Sequence, residues 1–356
     1  MEKELRLMKG NEAVAEAAIR TGADGYFGYP ITPQSEILEY LMEANPSKTT
    51  GMVVLQAESE IAAINMVYGG AACGKKVMTS SSSPGISLKQ EGISYIAGAE
   101  LPCLIVNVVR GGPGLGTIQP AQSDYFQSTK GGGHGDYHLI VLAPASVQEM
   151  ADFVDLGFEL AFKYRNPVLM LSDGAIGQMM EKVYLSPQKE RTKVFPDWAA
   201  TGKPATRERN IITSLDLDPN GQEIFNHKLQ AKYDEIREKE VRYEEFQCED
   251  AEYLLVAYGT SARVSQKAVQ LLREQGIKVG LLRPITLFPF PTKRINALAD
   301  KVKGILSVEM SAGQMVEDVL LAVNGKVPVM HFGRLGGIVT TPEEVVENLK
   351  SRIIGG

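Results

Sequence analysis

The chain has 356 residues, 44% of them hydrophobic and 22% charged, with a formal net charge of −6. These values are ordinary for a globular protein and provide enough apolar material for two cores, which excludes disorder and fibrous repeats. No run is strongly basic, as a nucleic-acid partner would require, and no stretch reaches the ~18 apolar residues of a membrane span.

The three cysteines (Cys73, Cys103, Cys248) are widely spaced, with no C-x-x-C pair. They cannot build a disulfide framework, a thiolate metal site or an iron–sulfur site within this chain. Reduced thiols in a cytoplasmic protein are expected instead. Glycine is high at 35 residues, and the excess sits in clusters between residues 69 and 135, which points to loops where backbone must come close to something.

The opening MEKELRLMKGNE alternates charges and lacks the apolar region of a signal peptide. Residues 11–21 read as a helix stopped by Gly22, residues 26–29 as a strand, and residues 33–44 as a helix with Pro33 at its first position. A strand over 52–55 and a small-residue helix over 59–70 follow. Strands are expected at 76–80, 103–109, 138–143 and 167–172, and a capping box at Ser146 and Glu149 opens a helix running to about 162. Continuous apolar strands alternating with helices predict a parallel sheet covered on both faces.

Between 186 and 250 the alternation stops and charges crowd. Phe225, Leu229, Tyr233 and Ile236 keep helical spacing there, so one amphipathic helix is expected within a charged, partly helical connection. From 251 to 348 the pattern resumes: strands at 253–259, 278–284, 304–309 and 327–333, a helix over 264–275, and a last helix capped at Thr341-Pro342-Glu343-Glu344. The expected organisation is α/β throughout: a domain over 1–185, the connection over 186–250, and a smaller domain over 251–356.

Several motifs could carry chemistry. Gly69 to Lys76 nearly spells a phosphate-binding loop, but Lys76 stands where a hydroxyl is required and the order is helix–loop–strand. Tight packing of a glycine-rich helix end is the better reading. Glu60 shares helical spacing with Ile64, Val67 and Ala71, which puts a carboxylate on an apolar stripe, while Glu58 turns away. Such a carboxylate is either an acid–base group with a pKa raised by burial or a helix-start residue favoured by the macrodipole, and spacing alone leaves both open.

Thr32, in the loop Gly28–Pro33 after a strand, is a helix N-cap, a ligand contact, or both. Arg110 follows an apolar strand and precedes a glycine-rich loop, a setting suited to a carboxylate ligand. The run Ser80–Ser83 before Pro84-Gly85 offers hydroxyls or is an ordinary turn. His134 and His138 lack the neighbours a metal site needs.

Together, Gly28-Tyr-Pro-Ile-Thr-Pro33, Gln56-Ala-Glu-Ser-Glu60, Thr79-Ser-x-x-x-Pro84-Gly85 with Gln90-Glu-Gly92, Asn107-Val-Val-Arg110-Gly-Gly-Pro and Gly133-His-Gly-Asp136 resemble the α subunit of 2-oxoacid:ferredoxin oxidoreductases. The likeness covers the first domain almost end to end. Val308-Glu-Met-x-x-Gly-Gln314 resembles the transketolase C-terminal-like domain of the same subunits, and Met8-Lys-Gly-Asn-Glu12 with the compact length is most similar to the 2-oxoisovalerate (branched-chain) type. The resemblance implies a pyrimidine-type thiamine diphosphate-binding domain. Glu60 would contact N1′ of the aminopyrimidine and favour the tautomer that removes the thiazolium C2 proton, with Tyr29, Pro30 and Ile31 also at the cofactor. Thr32 and Arg110 would hold the carboxylate of the 2-oxoacid.

The Gly-Asp-Gly…Asn motif that holds diphosphate and Mg²⁺ in such enzymes is missing, since Asp173-Gly174 follows Ser172 and no asparagine follows in place. Mg²⁺, the rest of the cofactor site and the iron–sulfur clusters are therefore expected on partners: a pyrophosphate-domain (β) subunit, a γ subunit and a ferredoxin-like subunit, with coenzyme A and ferredoxin as co-reactants. The alternatives are a 2-oxoglutarate-specific relative, whose substrate would want a second cation, and a catalytically silent assembly subunit.

Overall fold

The structure, a computed structural model, describes residues 4–355. Seven strands form the first sheet, in the spatial order Thr286–Phe288, Ile140–Leu142, Pro167–Asp173, Cys103–Val109, Val77–Ser81, Gly25–Gly28 and Val53–Gln56. All neighbours run parallel except Thr286–Phe288, which pairs antiparallel with Ile140–Leu142. The central strands Cys103–Val109 and Pro167–Asp173 are buried at every position, as their unbroken apolar runs predict for a sheet covered on both faces.

The helices expected in this half are present. Gly10–Arg20 packs with Ser35–Ala44 and Val147–Tyr164, and Glu60–Ala72 packs with Ser83–Gly98. Ser146 caps Val147–Tyr164 by accepting from the Glu149 amide, while the Glu149 carboxylate accepts from Ala145 N and pairs with Arg283. A strand that the charge alternation at the N-terminus hid, Glu4–Lys9, pairs antiparallel with Met180–Leu185. Its inner side chain, Met8, packs with Val183, Leu185, Ala13, Val147 and Ala151, leaving Leu5 and Leu7 exposed.

The second sheet has five strands, in the order Val329–Gly333, Ile305–Glu309, Tyr253–Ala257, Val279–Pro284 and Tyr243–Phe246, the last antiparallel. Thr341 and Glu344 form the expected reciprocal cap of Pro342–Leu349. Within 186–250, helix Pro219–Lys239 buries Leu229, Tyr233 and Ile236, three of the four residues whose spacing predicted it, and leaves Phe225 half-buried. The preceding Pro196–Ala200 turn closes on the glycine-rich helix end. Ala200 N donates to Ala72 O at 2.8 Å, and a Cβ at Gly74 would meet Pro196 Cδ at 2.7 Å. Gly69–Lys76 is packing material.

Buried side-chain bonds fasten the two sheets together. Asp173 Oδ1 caps helix Gly174–Gln178 through the amides of Ala175 and Ile176, and also accepts from Thr260 Oγ1 at 2.7 Å. Its Oδ2 accepts from Thr260 N at 3.0 Å. Gln122 spans the same seam, donating to Tyr258 O and accepting from Ser261 Oγ and Met310 N. In the Val308–Gln314 motif, buried Glu309 accepts from the amides of Gln314, Met315 and Val316, capping helix Met315–Val323. Gln314 in turn bonds Phe126 N and Ser123 O.

Candidate functional site

The parallel strands of the first sheet bring Gly28, Gln56, Ser81, Val109 and Asp173 to one carboxyl edge, the side on which open parallel sheets bind ligands. The sequence candidates lie along it. Thr32 is not the helix cap, and Pro33 is not the first helical residue: the helix begins at Ser35 with Gln34 at its N-cap. The Pro33 carbonyl is engaged by Asn11 Nδ2 at 2.7 Å and Gln178 Nε2 at 3.0 Å, which ties the loop down before the helix starts. Thr32 and Pro30 are therefore exposed on the loop, with Tyr29 and Ile31 half-buried beside them.

The loop rests on a buried network absent from the sequence reading. Gln34 Nε2 donates to Tyr29 O at 3.0 Å, and Gln34 Oε1 accepts from Ser80 Oγ, which lies 2.6 Å from Tyr26 Oη. A glutamine just after a proline gives no sequence signal of this role; the fold supplies it.

Glu60 is the first residue of helix Glu60–Ala72, whose N-cap Ser59 accepts from Ala62 N at 3.2 Å. The helix buries Glu60 with Ala63, Ile64, Val67 and Ala71, whereas Glu58 is exposed. Opposite stands helix Ser83–Gly98. A Cβ added at Gly85 would lie 2.7 Å from Glu60 Oε1 and 2.1 Å from Ser81 Oγ, and one added at Gly92 would lie 2.6 Å from Ile64 Cγ2. Two glycines seven apart thus let the helices meet closely on one face.

Among the described residues, the Glu60 carboxylate accepts no hydrogen bond, and the buried Ser81 and Ser82 hydroxyls have no partner. Buried polar groups are normally satisfied. The orphaned Ser81 hydroxyl beside an open carboxylate at a ligand-binding edge fits a polar heterocycle such as the aminopyrimidine that the family resemblance implies.

Arg110 is buried at the end of strand Cys103–Val109. Its guanidinium donates to Thr32 O and Leu115 O, both at 3.0 Å, while Nε is buried without a partner. No carboxylate among the described residues pairs with it, so its charge is free to meet an anionic ligand. Thr32 and Arg110 are thereby brought together.

Ser83, the first residue of helix Ser83–Gly98, ties that helix to Arg110. Its hydroxyl exchanges bonds with the Arg110 backbone, and its amide donates to Asn107 Oδ1 at 3.2 Å. Asn107 Nδ2 holds Asp124 Oδ2 at 2.9 Å; burial raises the Asp124 carboxyl against the bonds from Asn107 and Ser83.

Asp173 has both oxygens occupied by backbone amides and Thr260, so it serves the seam between sheets. His138 stacks on Phe288 with ring centroids 4.2 Å apart, and His134 meets Tyr95 edge-on. Among the described residues no group of three or more His, Cys, Asp or Glu is placed to hold a metal ion, and no helix is long and apolar enough to cross a membrane.

Residues 16–252 match the family described as pyruvate flavodoxin/ferredoxin oxidoreductase, thiamine diphosphate-binding, and residues 251–345 match pyruvate:ferredoxin oxidoreductase core domain II. The chain is 53% identical over 345 residues to ketoisovalerate oxidoreductase subunit VorB of Methanothermobacter thermautotrophicus, covering 97% of each. It is 37% identical to 2-oxoglutarate synthase subunit KorA of Archaeoglobus fulgidus, covering 98% of this chain and all of that one. Among solved structures, the 2-oxoglutarate:ferredoxin oxidoreductase of Magnetococcus marinus superposes with a TM-score of 0.85 at 29% identity. The superposition covers 99% of this chain and 66% of that one. A thiamine diphosphate-binding parallel-sheet domain followed by a transketolase C-terminal-like domain is thus the architecture, and the chain belongs to the family of 2-oxoacid oxidoreductase subunits represented by pyruvate flavodoxin/ferredoxin oxidoreductase.

Proposed function

We propose that this chain supplies the pyrimidine half of a shared thiamine diphosphate site in a hetero-oligomeric, cytoplasmic oxidoreductase. The complex would convert a branched-chain 2-oxoacid and coenzyme A to acyl-CoA and CO₂, passing electrons to ferredoxin. The carrying observation is Glu60: a buried carboxylate that meets, at the gap left by Gly85, the orphaned hydroxyl of Ser81. When bound, the cofactor supplies a carbanion equivalent at C2 that can add to a keto carbon. The chain's own residues hold and move the controlling proton: Glu60 accepts or donates at N1′ of the pyrimidine, in a low-dielectric setting that strengthens that single contact. Tyr29, Pro30 and Ile31 would border the ring.

Arg110 and Thr32 would fix the substrate carboxylate, so that orientation and charge neutralisation precede loss of CO₂. Mg²⁺, the diphosphate-binding residues and the iron–sulfur clusters are assigned to the β, γ and ferredoxin-like partner subunits. The 37% identity to a 2-oxoglutarate synthase subunit keeps that substrate as the second reading. Leu115, whose carbonyl holds Arg110, and Ile118 present exposed hydrocarbon on the same loop, which favours an apolar substrate side chain over a second carboxylate.

The test is co-purification with the partner subunits, followed by viologen reduction across a panel of 2-oxoacids. Branched-chain acids should give the highest kcat/KM, and the isolated chain with cofactor and Mg²⁺ should turn nothing over. Preference for 2-oxoglutarate would reverse the substrate assignment. Turnover by the isolated chain would refute the shared site. Undiminished turnover in a complex carrying Glu60→Ala would make the chain an assembly subunit.

A further inference from the structure

One buried ionisable group at the site has no part in the chemistry above. Lys89 is fully buried on helix Ser83–Gly98, and its Nζ donates to Thr79 Oγ1 at 2.7 Å and Ser80 O at 3.0 Å. An ammonium has three protons to donate, so these two neutral acceptors leave one uncommitted. On the helix, Gly85, Lys89 and Gly92 fall at i, i+4 and i+7 and share a face. Both flanking glycines touch helix Glu60–Ala72, Gly85 at Glu60 and Gly92 at Ile64. The Lys89 stem therefore runs along the seam that contains the Glu60 carboxylate.

The two groups form no direct ion pair, so the charge acts across the seam. The remaining neighbours are neutral or committed elsewhere. Strand Val77–Ser81 offers hydroxyls and carbonyls, Ser80 Oγ being shared with Tyr26 and Gln34. Strand Cys103–Val109 contributes Asn107, committed to Ser83 and Asp124. On Lys89's own helix, Glu91 is exposed and accepts from Tyr95 Oη at 2.6 Å.

We propose that Lys89 is a positioning residue for Glu60: a buried countercharge across the helix seam from the Glu60 carboxylate. This rests on the role given to Glu60 above. Burial pushes the Lys89 ammonium down to about 7, and Glu60 is the one charged group that opposes the fall. Removing a nearby opposite charge disfavours the ionised form of a carboxylate, which gives the pair a pH-dependent signature.

Two measurements test this. In the reconstituted complex, Lys89→Met and Lys89→Gln should each move the acid limb of the kcat/KM profile up by about one pH unit, and Lys89→Arg should restore it. In the cofactor-free chain, urea unfolding of Lys89→Met, Glu60→Gln and the double variant at pH 6 should show coupling of at least about threefold in the unfolding constant. Additive stabilities with an unmoved limb would overturn the proposal, leaving Lys89 a packing residue. The unfolding cycle needs no turnover, so it judges the pair even if Glu60→Gln proves fully active, an outcome that would refute the catalytic reading alone.

Discussion

Gly85 leaves empty the space that the Glu60 carboxylate occupies: a Cβ built at Gly85 falls 2.7 Å from Glu60 Oε1. The glycine lies inside a helix, where it is less favourable than alanine by roughly 0.5–1 kcal/mol. Its presence there is explained by the carboxylate opposite and by Ser81 Oγ, which that Cβ would meet at 2.1 Å. The helix tolerates its own weak point so that an ionisable group can sit against it.

Gly85→Ala should therefore separate folding from function. The backbone at this position can carry alanine, so the variant should fold and join the complex. The methyl group must displace Glu60 and Ser81, and the viologen-reduction rate should drop at least about tenfold, since small misplacements of a catalytic group carry costs of that order. A wild-type rate would show that Glu60 need not stand where the structure puts it.

Arg110→Ala removes the cation beside Thr32 and releases the Leu115 carbonyl. Losing a charge-assisted contact to a carboxylate costs about 1.5–3 kcal/mol. The expected loss in kcat/KM for the preferred 2-oxoacid is then roughly 10- to 150-fold, with cofactor affinity largely kept. Steady-state kinetics and a cofactor titration separate the two; unchanged kcat/KM for every 2-oxoacid would remove Arg110 from the substrate site.

Asp173→Ala should weaken the seam between the sheets. Four contacts, from Ala175 N, Ile176 N and both Thr260 donors, lose their acceptor together. Leaving buried donors unsatisfied costs about 1–3 kcal/mol, readable as a lower urea midpoint of the chain. The Mg²⁺ concentration needed for half-maximal activity of the complex should not change. A large increase in that requirement would make Asp173 part of the metal site.

Lys89 gives a pH dependence with a definite sign. Its folded-state pKa is lowered from 10.5 to about 7, so between those values the unfolded chain binds a proton that the folded chain does not. Stability rises with pH where the unfolded state holds more protons. The wild-type chain should therefore gain stability relative to Lys89→Met as pH increases from about 7 toward 10, with no further change attributable to Lys89 below that window. Parallel curves for the two proteins across the window would mean that the lysine titrates normally.

Much of this architecture is legible in the sequence, because long apolar strands, caps and helical spacing are local signals. The 219–239 helix was readable from Leu229, Tyr233 and Ile236, and the burial of Glu60 from its register with Ile64 and Val67. The missed elements depend on distant partners. Glu4–Lys9 is a strand because Met180–Leu185 pairs with it, and Thr286–Phe288 joins the first sheet from within the second half of the chain. Gln34, Asn107 and Lys89 gain their roles only when four segments converge. Thr32 failed as a cap because the Pro33 carbonyl is claimed by Asn11 and Gln178, which periodicity cannot show.

Glu60 carries the proposed proton transfer, and C2–H/D exchange of thiamine diphosphate bound to the reconstituted complex reads its role most directly. Glu60→Gln keeps the shape but not the proton exchange, and general acid–base contributions are typically 10²–10⁴-fold. Exchange should slow by at least about 10²-fold in Glu60→Gln. In Glu58→Gln, whose side chain is exposed, it should stay close to wild type. Fast exchange in Glu60→Gln together with slow exchange in Glu58→Gln would contradict the assignment and move the catalytic carboxylate to the neighbouring position.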